Sequence, residues 1–240
     1  MPTKDKKRVR ILHLLHMGMM VLVLLVLALC QVFHINRAAL LSSVVLLASF
    51  VPFLLLFERR GRRLSAIMPI ITLSAVAIAG RIVFVPLSNI QPVSALVILA
   101  GNFFGREAGY FTGLFSALVS NMFLGQGLWT PWQMFVWSTM GYFSGVLAEH
   151  GVFSREDGKE RVFRVCLYGT IASALYGIVM DSWFVVGFLQ GASSSAIIAA
   201  YAAGVVLNVG HMVSTVLFLA LSCGTLGPKF RRIKRKYDLV

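Results

Sequence analysis

Two charged side chains interrupt long apolar segments of the 240-residue chain, and each is placed where it could bind a ligand. Arg81 lies about two helical turns from the end of one apolar segment, and Asp181 lies about two turns from the end of another. At about 1.5 Å per helical residue, both charges lie roughly 10 Å from the same surface. Charges in an apolar phase are costly and usually functional. Their equal depth and opposite sign predict either an ion pair that orders the helices or a shared contact with a ligand.

A loop rich in aromatic and amide side chains lies at a similar depth. Residues 124–133 read LGQGLWTPWQ, and Gln133 and Trp137 share one face of the following helix because they are four residues apart. This arrangement predicts an aromatic-walled cavity for a neutral or mixed-polarity organic ligand with flat or bulky parts. The candidate binding residues are Arg81, Asn89, Asn121, Gln126, Trp129, Trp132, Gln133, Trp137, Asp181 and Trp183.

Catalytic and metal-binding chemistry is not indicated. Ser193 and His211 resemble a nucleophile and its base, but about 27 Å separates them along one helix. We expect His211, with Asn208 beside it, to be packed and hydrogen-bonded rather than to contact a ligand. The three cysteines are widely spaced, and the chain has no metal-binding or nucleotide-binding motif. The sequence therefore predicts a protein that is not an enzyme, has no metal or cofactor, and cannot hydrolyse ATP by itself.

Composition places these residues in a helical membrane protein. The chain is 58% hydrophobic and 13% charged, and nearly uncharged stretches recur along its whole length. About 20 apolar residues span the hydrocarbon core as a helix, and these stretches are too long for barrel strands. We predict an all-α polytopic membrane protein with apolar segments at 11–35, 38–57, 65–87, 92–104, 107–124, 131–150, 162–188 and 196–222. The fourth and fifth segments form either a tight hairpin or one broken unit.

The positions of the positive charges predict the orientation of these segments. The formal charge of +13 is concentrated in blocks at 4–10, 59–63 and 229–236, which flank apolar segments and so indicate topology rather than nucleic-acid binding. Basic and uncharged loops alternate, with Arg37 as the exception, so we predict a plasma-membrane protein with cytoplasmic N and C termini. The chain divides into residues 1–64, a basic start with a two-helix hairpin, and residues 65–240, a six-helix core with a basic tail.

Small residues recur at four-residue intervals within the core. They are Gly101, Gly105, Gly109 and Gly113 in the short fourth and fifth segments, and Gly141 and Gly145 in the sixth. Close packing of helices in lipid depends on small residues. The spacing favours packing within the bundle, with contact to a partner subunit or a ligand as the alternative.

Several stretches of the core carry a family resemblance. They are six short segments after a basic start, the pair Ala75 and Ala79, the hairpin ILAGNFFGREAGYFTGLFSALVSNMF and the loop GQGLWTPWQ, with GRIVF and PVSALVILAG before them. From Ser65 onward the chain resembles the substrate-binding S components of energy-coupling factor (ECF) vitamin transporters, most closely the cobalamin type. The two additional apolar segments at the front depart from the usual six-span S component.

The resemblance implies the substrate-capture subunit of an ABC-type importer for cobalamin or a related micronutrient. It implies an ECF transmembrane coupling subunit and two ATPase subunits as partners. It also implies that Ala75 and Ala79 lie at the coupling surface, and that the loops around Asn89 and 126–132 gate an outer pocket. The alternative is a self-sufficient secondary transporter or channel for a small organic solute, with Asp181 and His211 coupling ions or protons.

Overall fold

The computed structural model describes residues 38–59, 64–87, 89–155, 159–189 and 191–237, together with a few single positions between 14 and 29. These ranges are almost entirely helical, which confirms the all-α class for the part of the chain described. The helices are α1 (Ala38–Arg59), α2 (Leu64–Val83), α3 (Val93–Phe104), α4 (Arg106–Leu124), α5 (Thr130–Glu149), α6 (Val162–Phe188), α7 (Ser194–Thr225) and α8 (Gly227–Lys236).

The helices follow the predicted apolar segments closely, from 38–57 through 196–222, whereas the first segment, 11–35, lies almost wholly outside the described residues. One boundary was wrong. The segment predicted at 65–87 ends at Val83, and the following residues form turns. Pro86 accounts for the early end, because proline cannot donate to a helix and disfavours helical geometry in the residue before it. The basic tail also contains α8, a helix that was not predicted from the sequence.

The exposed surface of the bundle is strongly apolar. Met122, Phe123, Phe163 and Val206 are each more than two thirds exposed. Surfaces of this kind suit lipid rather than water. By length and composition, α6 and α7 can cross a membrane, and shorter apolar helices occur at Ile67–Val83 and Val93–Phe104. The six-span core and the total of eight spans stay predictions.

Glycines join α3, α4 and α5 into one closely packed unit. Gly105 adopts a φ of 90°, a conformation open to glycine, and reverses the chain between α3 and α4. The fourth and fifth segments therefore form a hairpin. Gly109 packs directly on the backbone of Gly141, and Gly101 faces the same Gly141 carbonyl. Packing within the bundle, predicted from the glycine spacing, is confirmed at these positions.

The two ends of the bundle differ in chemistry. At one end, called the Arg81 end below, α2, α4 and α6 finish and α3, α5 and α7 begin. At the other, called the α8 end, the ring of Phe230 packs edge-on against those of Phe103 and Phe104, with centroids 5.3 and 5.4 Å away. An ion pair between Arg106 and Glu149 lies at this end.

The helix α7 extends far beyond its neighbour α3. It has 32 residues, which corresponds to about 48 Å. Gln91 lies just before α3, and its backbone N–H donates to the Ser214 hydroxyl at 2.8 Å. The same hydroxyl donates to the backbone carbonyl of Gln91 at 2.9 Å. The part of α7 that precedes Ser214 therefore continues past the start of α3, with the end of α6 beside it.

The helix α1 packs on the core although it precedes residue 65. Leu46 and Phe50 are buried, and the Phe50 ring contacts that of Tyr110 at a centroid distance of 6.4 Å. The Ser43 hydroxyl donates a 2.8 Å hydrogen bond to the carbonyl of Leu128. Leu128 belongs to the loop between α4 and α5, so α1 supports this loop at the Arg81 end.

Candidate functional site

A buried arginine organises the Arg81 end of the bundle. Arg81, in the last turn of α2, is 9% exposed. Its Nη1 donates to Ser120 Oγ at 2.5 Å and to Asn121 Oδ1 at 2.7 Å, and its Nη2 lies 3.4 Å from Gln133 Oε1. The guanidinium also lies over the Trp137 ring, 4.9 Å from its centroid. We call these five residues the Arg81 cluster.

Amide hydrogen bonds hold the cluster's acceptors in place. Asn121 Nδ2 donates to Gln133 Oε1 at 2.8 Å and to Thr130 Oγ1 at 3.0 Å. These bonds connect the end of α4 with the first turn of α5. The oxygen atoms around the guanidinium are therefore oriented by the protein before any ligand is present, as a binding site requires.

An aromatic layer lies directly below the cluster, towards the bundle centre. Trp137 Nε1 donates to Ser94 Oγ at 2.9 Å, and that oxygen lies 2.6 Å from His211 Nε2. The Trp137 ring stacks on Tyr176 with centroids 5.1 Å apart, and Tyr176 meets His211 edge-on at 4.6 Å. His211 is packed and hydrogen-bonded, as the sequence predicts. This layer links α3, α5, α6 and α7.

The structure brings together part of the predicted site. Arg81, Asn121, Gln133 and Trp137 form one cluster, as described above. Trp129 and Trp183 form a second contact, edge-on at 6.5 Å, between the α4–α5 loop and α6. Trp132 is fully buried against Phe135 at 6.4 Å.

Two other predicted residues lie in exposed loops. The Asn89 amide donates to the carbonyl of Leu207 at 3.1 Å, and the Gln126 amide donates to that of Leu118 at 3.1 Å. Each anchors a loop rather than joining the Arg81 cluster. Asn89 has a φ of 61°, and asparagine tolerates this left-handed geometry better than most residues.

Asp181 belongs to a different part of the molecule. Its Oδ2 accepts a 2.7 Å hydrogen bond from the Asn208 amide, and Gly204 leaves room for the carboxylate on α7. Arg81 instead faces α4 and α5, and the described residues contain no ion pair between the two charges. The predicted pairing of Arg81 with Asp181 is thus not formed. The estimated depth of Arg81 was also wrong, because α2 ends at Val83 and Arg81 lies in its last turn rather than about two turns from its end. Neighbouring residues of a helix point about 100° apart, so depth along a helix does not determine partners.

Sequence reasoning missed several members of the site. Ser94, Ser120, Thr130 and Tyr176 are small or common polar residues in apolar segments, and each is explained by a contact from another helix. Ser120 directly precedes the predicted Asn121 at the end of α4, and this polar pair is the signal that could have identified Ser120.

The pair Ala75 and Ala79 lies on an exposed face of α2. Both alanines are exposed, and so are Met68, Ile71 and Val76, at 50 to 63%. These positions recur at helical spacing and form a smooth apolar stripe on the outside of the bundle. A stripe of small residues permits close approach of another helix in lipid.

Three buried nitrogen donors at the Arg81 end of the bundle have no hydrogen-bond partner within the described ranges. They are Arg81 Nε, Trp132 Nε1 and Trp183 Nε1. Buried polar groups are usually paired, and exceptions often mark functional sites. The combination of free donors, an oriented cation and flat aromatic faces suits a flat organic ligand rich in acceptors. Fold and site together define a membrane protein that binds a small organic substrate.

Comparison with protein families identifies the class more closely. The family model described as ECF-type riboflavin transporter, S component, matches residues 65–223, about two thirds of the chain. The chain belongs to this family. No curated protein and no solved structure gives a match.

Membership in this family confirms the general resemblance found in the sequence. The chain is a membrane subunit of a vitamin transporter, it binds substrate rather than catalysing a reaction, and proteins of its class work with an ECF membrane and ATPase module. The matched family is of the riboflavin type, so the match does not confirm the cobalamin subtype. The match begins at residue 65, directly after the basic block at 59–63.

Proposed function

We propose that this protein captures riboflavin or a closely related flat vitamin at the Arg81 cluster and presents it to an ECF coupling subunit. The observation that carries the proposal is a buried arginine surrounded by neutral acceptors. A buried charge is expensive unless it is paired, and the described residues give Arg81 no carboxylate. A ligand with several acceptor atoms supplies the missing interactions.

The chemistry of a flavin ring corresponds to these groups. Its carbonyl oxygens and ring nitrogens accept hydrogen bonds, which the unpaired Arg81 Nε can donate. Its flat rings can stack on aromatic side chains such as Trp129 and Trp183, which lie at the same end of the bundle. The side-chain amide of Gln133 can either donate hydrogen bonds to the polar chain of the vitamin or accept them from it.

Cobalamin is the competing ligand, since the hairpin and loop sequences resemble the cobalamin type. It is much larger than riboflavin and would need the loops at 84–92 and 125–129 to open widely. The close contacts within the Arg81 cluster favour the smaller and flatter ligand. The family match supports the same choice.

Binding of purified protein to each vitamin separates the two assignments. Riboflavin fluorescence should be quenched as the ring stacks on tryptophan, and calorimetry should give a submicromolar dissociation constant, or about −8 kcal/mol or stronger. Cobalamin binding without riboflavin binding would restore the cobalamin assignment. If neither vitamin binds, the proposed function is wrong.

A pair of matched variants assigns binding to the cluster. Arg81→Gln removes the charge and should weaken riboflavin binding about 10- to 100-fold, because a charge-assisted hydrogen bond contributes roughly 1.5–3 kcal/mol. Arg106→Gln removes one arginine at the α8 end, in the ion pair with Glu149, and should leave binding unchanged. Equal losses in the two variants would contradict a site at Arg81.

The direction of transport forms part of the proposal. We place the Arg81 end outside the cell and both termini in the cytoplasm, because residues 84–92, 125–129 and 189–193 contain no lysine or arginine, and Arg37 before α1 is the one exception to this pattern. Single cysteines at Gln91 and Gln126 should react with a membrane-impermeant thiol reagent added to whole cells. Protection of both positions in intact cells, with labelling after lysis, would reverse the orientation.

The partners follow from the same proposal. We infer that an ECF coupling subunit contacts α2 at Ala75 and Ala79 and that two ATPase subunits supply the energy. Cells that express only this chain should bind riboflavin without accumulating it, and co-expression of the ECF module should restore uptake. Accumulation by the chain alone in vesicles would instead favour a self-sufficient secondary transporter.

A further inference from the structure

The α8 end carries an apolar groove that the vitamin site does not use. The groove has a volume of about 290 Å³ and lies between α2, α3 and α8. It is lined by Met68, Pro69, Thr72, Leu73, Phe104, Phe230, Ile233 and Tyr237. Pockets that bind small molecules usually have volumes of at least about 300 Å³. The groove can therefore hold part of a hydrocarbon chain but not a large ligand.

A strongly basic helix forms one wall of this groove. The helix α8 reads GPKFRRIKRK and carries six positive and no negative side chains. Pro228 ends α7 and starts α8, because proline is tolerated only in the first turn of a helix. Arg231 pairs with Glu160, and the other five cations of α8 have no carboxylate partner among the described residues.

The positive charges of α8 are divided between two faces. Phe230, Ile233 and Tyr237 face the groove. Successive residues of a helix are rotated by about 100° around its axis. Measured in this way, Lys229, Lys234 and Lys236 lie within about 95° of the centre of the face that lines the groove, and so along its rim. By the same geometry, Arg232 and Arg235 lie more than about 130° away.

One contact places a lysine at the rim directly. The Lys236 ammonium lies 5.2 Å from the centroid of the Tyr237 ring, and Tyr237 lines the groove. A cation beside an apolar slot matches a molecule with an anionic head and an apolar tail. In a membrane, the abundant molecules of this description are anionic phospholipids.

We propose that the groove binds part of one acyl chain of an anionic phospholipid whose phosphate contacts the rim lysines Lys229, Lys234 and Lys236. The lipid belongs to the leaflet at the α8 end. It fills the space between α2 and α8 and holds α8 against Phe104. The site is separate from the Arg81 cluster, so the proposal does not depend on the identity of the vitamin.

Native mass spectrometry of the purified chain tests the site. The probes are phosphatidylglycerol and phosphatidylcholine with identical acyl chains, titrated in detergent. Wild-type protein should prefer phosphatidylglycerol. The double variant Lys234→Gln/Lys236→Gln should lose about 30-fold in affinity for phosphatidylglycerol, since each lysine near an anionic lipid is worth about a factor of five.

The opposite face of α8 supplies the matched control. Arg232→Gln/Arg235→Gln removes the same net charge and should change the affinity less than threefold. Equal losses in the two double variants would mean a diffuse attraction to basic residues and would overturn the proposal. Lys234→Arg/Lys236→Arg keeps the charge and should retain binding, which controls for misfolding of α8.

A groove-filling variant tests the acyl chain. Thr72 is exposed on α2 and lines the groove, so Thr72→Trp should occupy the slot and weaken binding of both lipids. Its melting temperature in lipid-free detergent should equal that of wild type. If Thr72→Trp leaves lipid binding unchanged but prevents co-purification with a coupling subunit, the groove belongs to that subunit and the lipid proposal is wrong.

Discussion

Replacing Gly109 by alanine tests how closely α4 and α5 pack. A methyl group at Gly109 would overlap the carbonyl of Gly141 and would lie 2.7 Å from Cα of Gly101. All of these neighbours are backbone atoms, so no side-chain rotation can relieve the overlap. The helices must therefore separate.

The expected loss of stability is the balance of two effects. Alanine is favoured over glycine inside a helix by about 1 kcal/mol. Overpacking typically costs about 1–3 kcal/mol, and contacts between backbone atoms belong at the upper end of this range. We therefore expect a net destabilisation of about 2 kcal/mol. For a protein of this size, that corresponds to a melting temperature lowered by about 4–8 °C.

A second glycine provides the control. Gly224 lies in α7, and a Cβ added there would meet no atom within 4 Å. Gly224→Ala should keep the gain in helix propensity and raise the melting temperature by about 2–4 °C. Thermal unfolding of both variants in the same detergent, followed by tryptophan fluorescence, gives the comparison. If Gly109→Ala melts at or above the wild-type temperature, the inferred backbone contact between α4 and α5 is wrong.

Three further predictions concern individual contacts. Ser43→Ala removes the hydrogen bond from α1 to the Leu128 carbonyl, which contributes about 1 kcal/mol. It should therefore speed vitamin release about fivefold in stopped-flow measurements. An unchanged rate would mean that α1 does not hold the loop. Asp181→Ala leaves the Asn208 amide unpaired and should lower the free energy of unfolding by about 1–3 kcal/mol, as measured by thermal unfolding. Asp181→Asn keeps an acceptor and should lower it less. The reverse order would contradict a structural role for Asp181. Ala75→Leu and Ala79→Leu should preserve vitamin binding and abolish co-purification with the coupling subunit, and intact co-purification would mean that another face docks.

Hydrophobic continuity determined most of the fold, so the sequence predicted it well. The segment predicted at 162–188 coincides with α6, because a long apolar run, in which Arg164 and Asp181 are the only charged residues, marks both ends of a helix. The glycine spacing likewise predicted the α3–α4–α5 unit. The helix α8 was not predicted, because its six charges in ten residues resemble a topology signal more than an amphipathic helix.

The site was predicted less completely, because it depends on contacts between distant helices. Arg81 and Gln133 were recognised from their polarity within apolar surroundings. The arginine's partners could not be deduced, since they depend on how each helix is rotated about its axis. Tyr176 illustrates the difficulty: its stacking on Trp137 joins residues that are far apart in sequence, and nothing nearby in the chain indicates it.

The length of α7 gives the Arg81 end a mechanical property. From Ser214, where α7 is bonded to Gln91, to Ser194 the helix runs about 30 Å. Over such an arm, a rotation of about 5° at Ser214 displaces Ser194 by roughly 2.6 Å. The ends of α6 and α7 at the Arg81 end thus form a long lever, so that a small rotation at Ser214 produces a displacement of ångströms at Ser194.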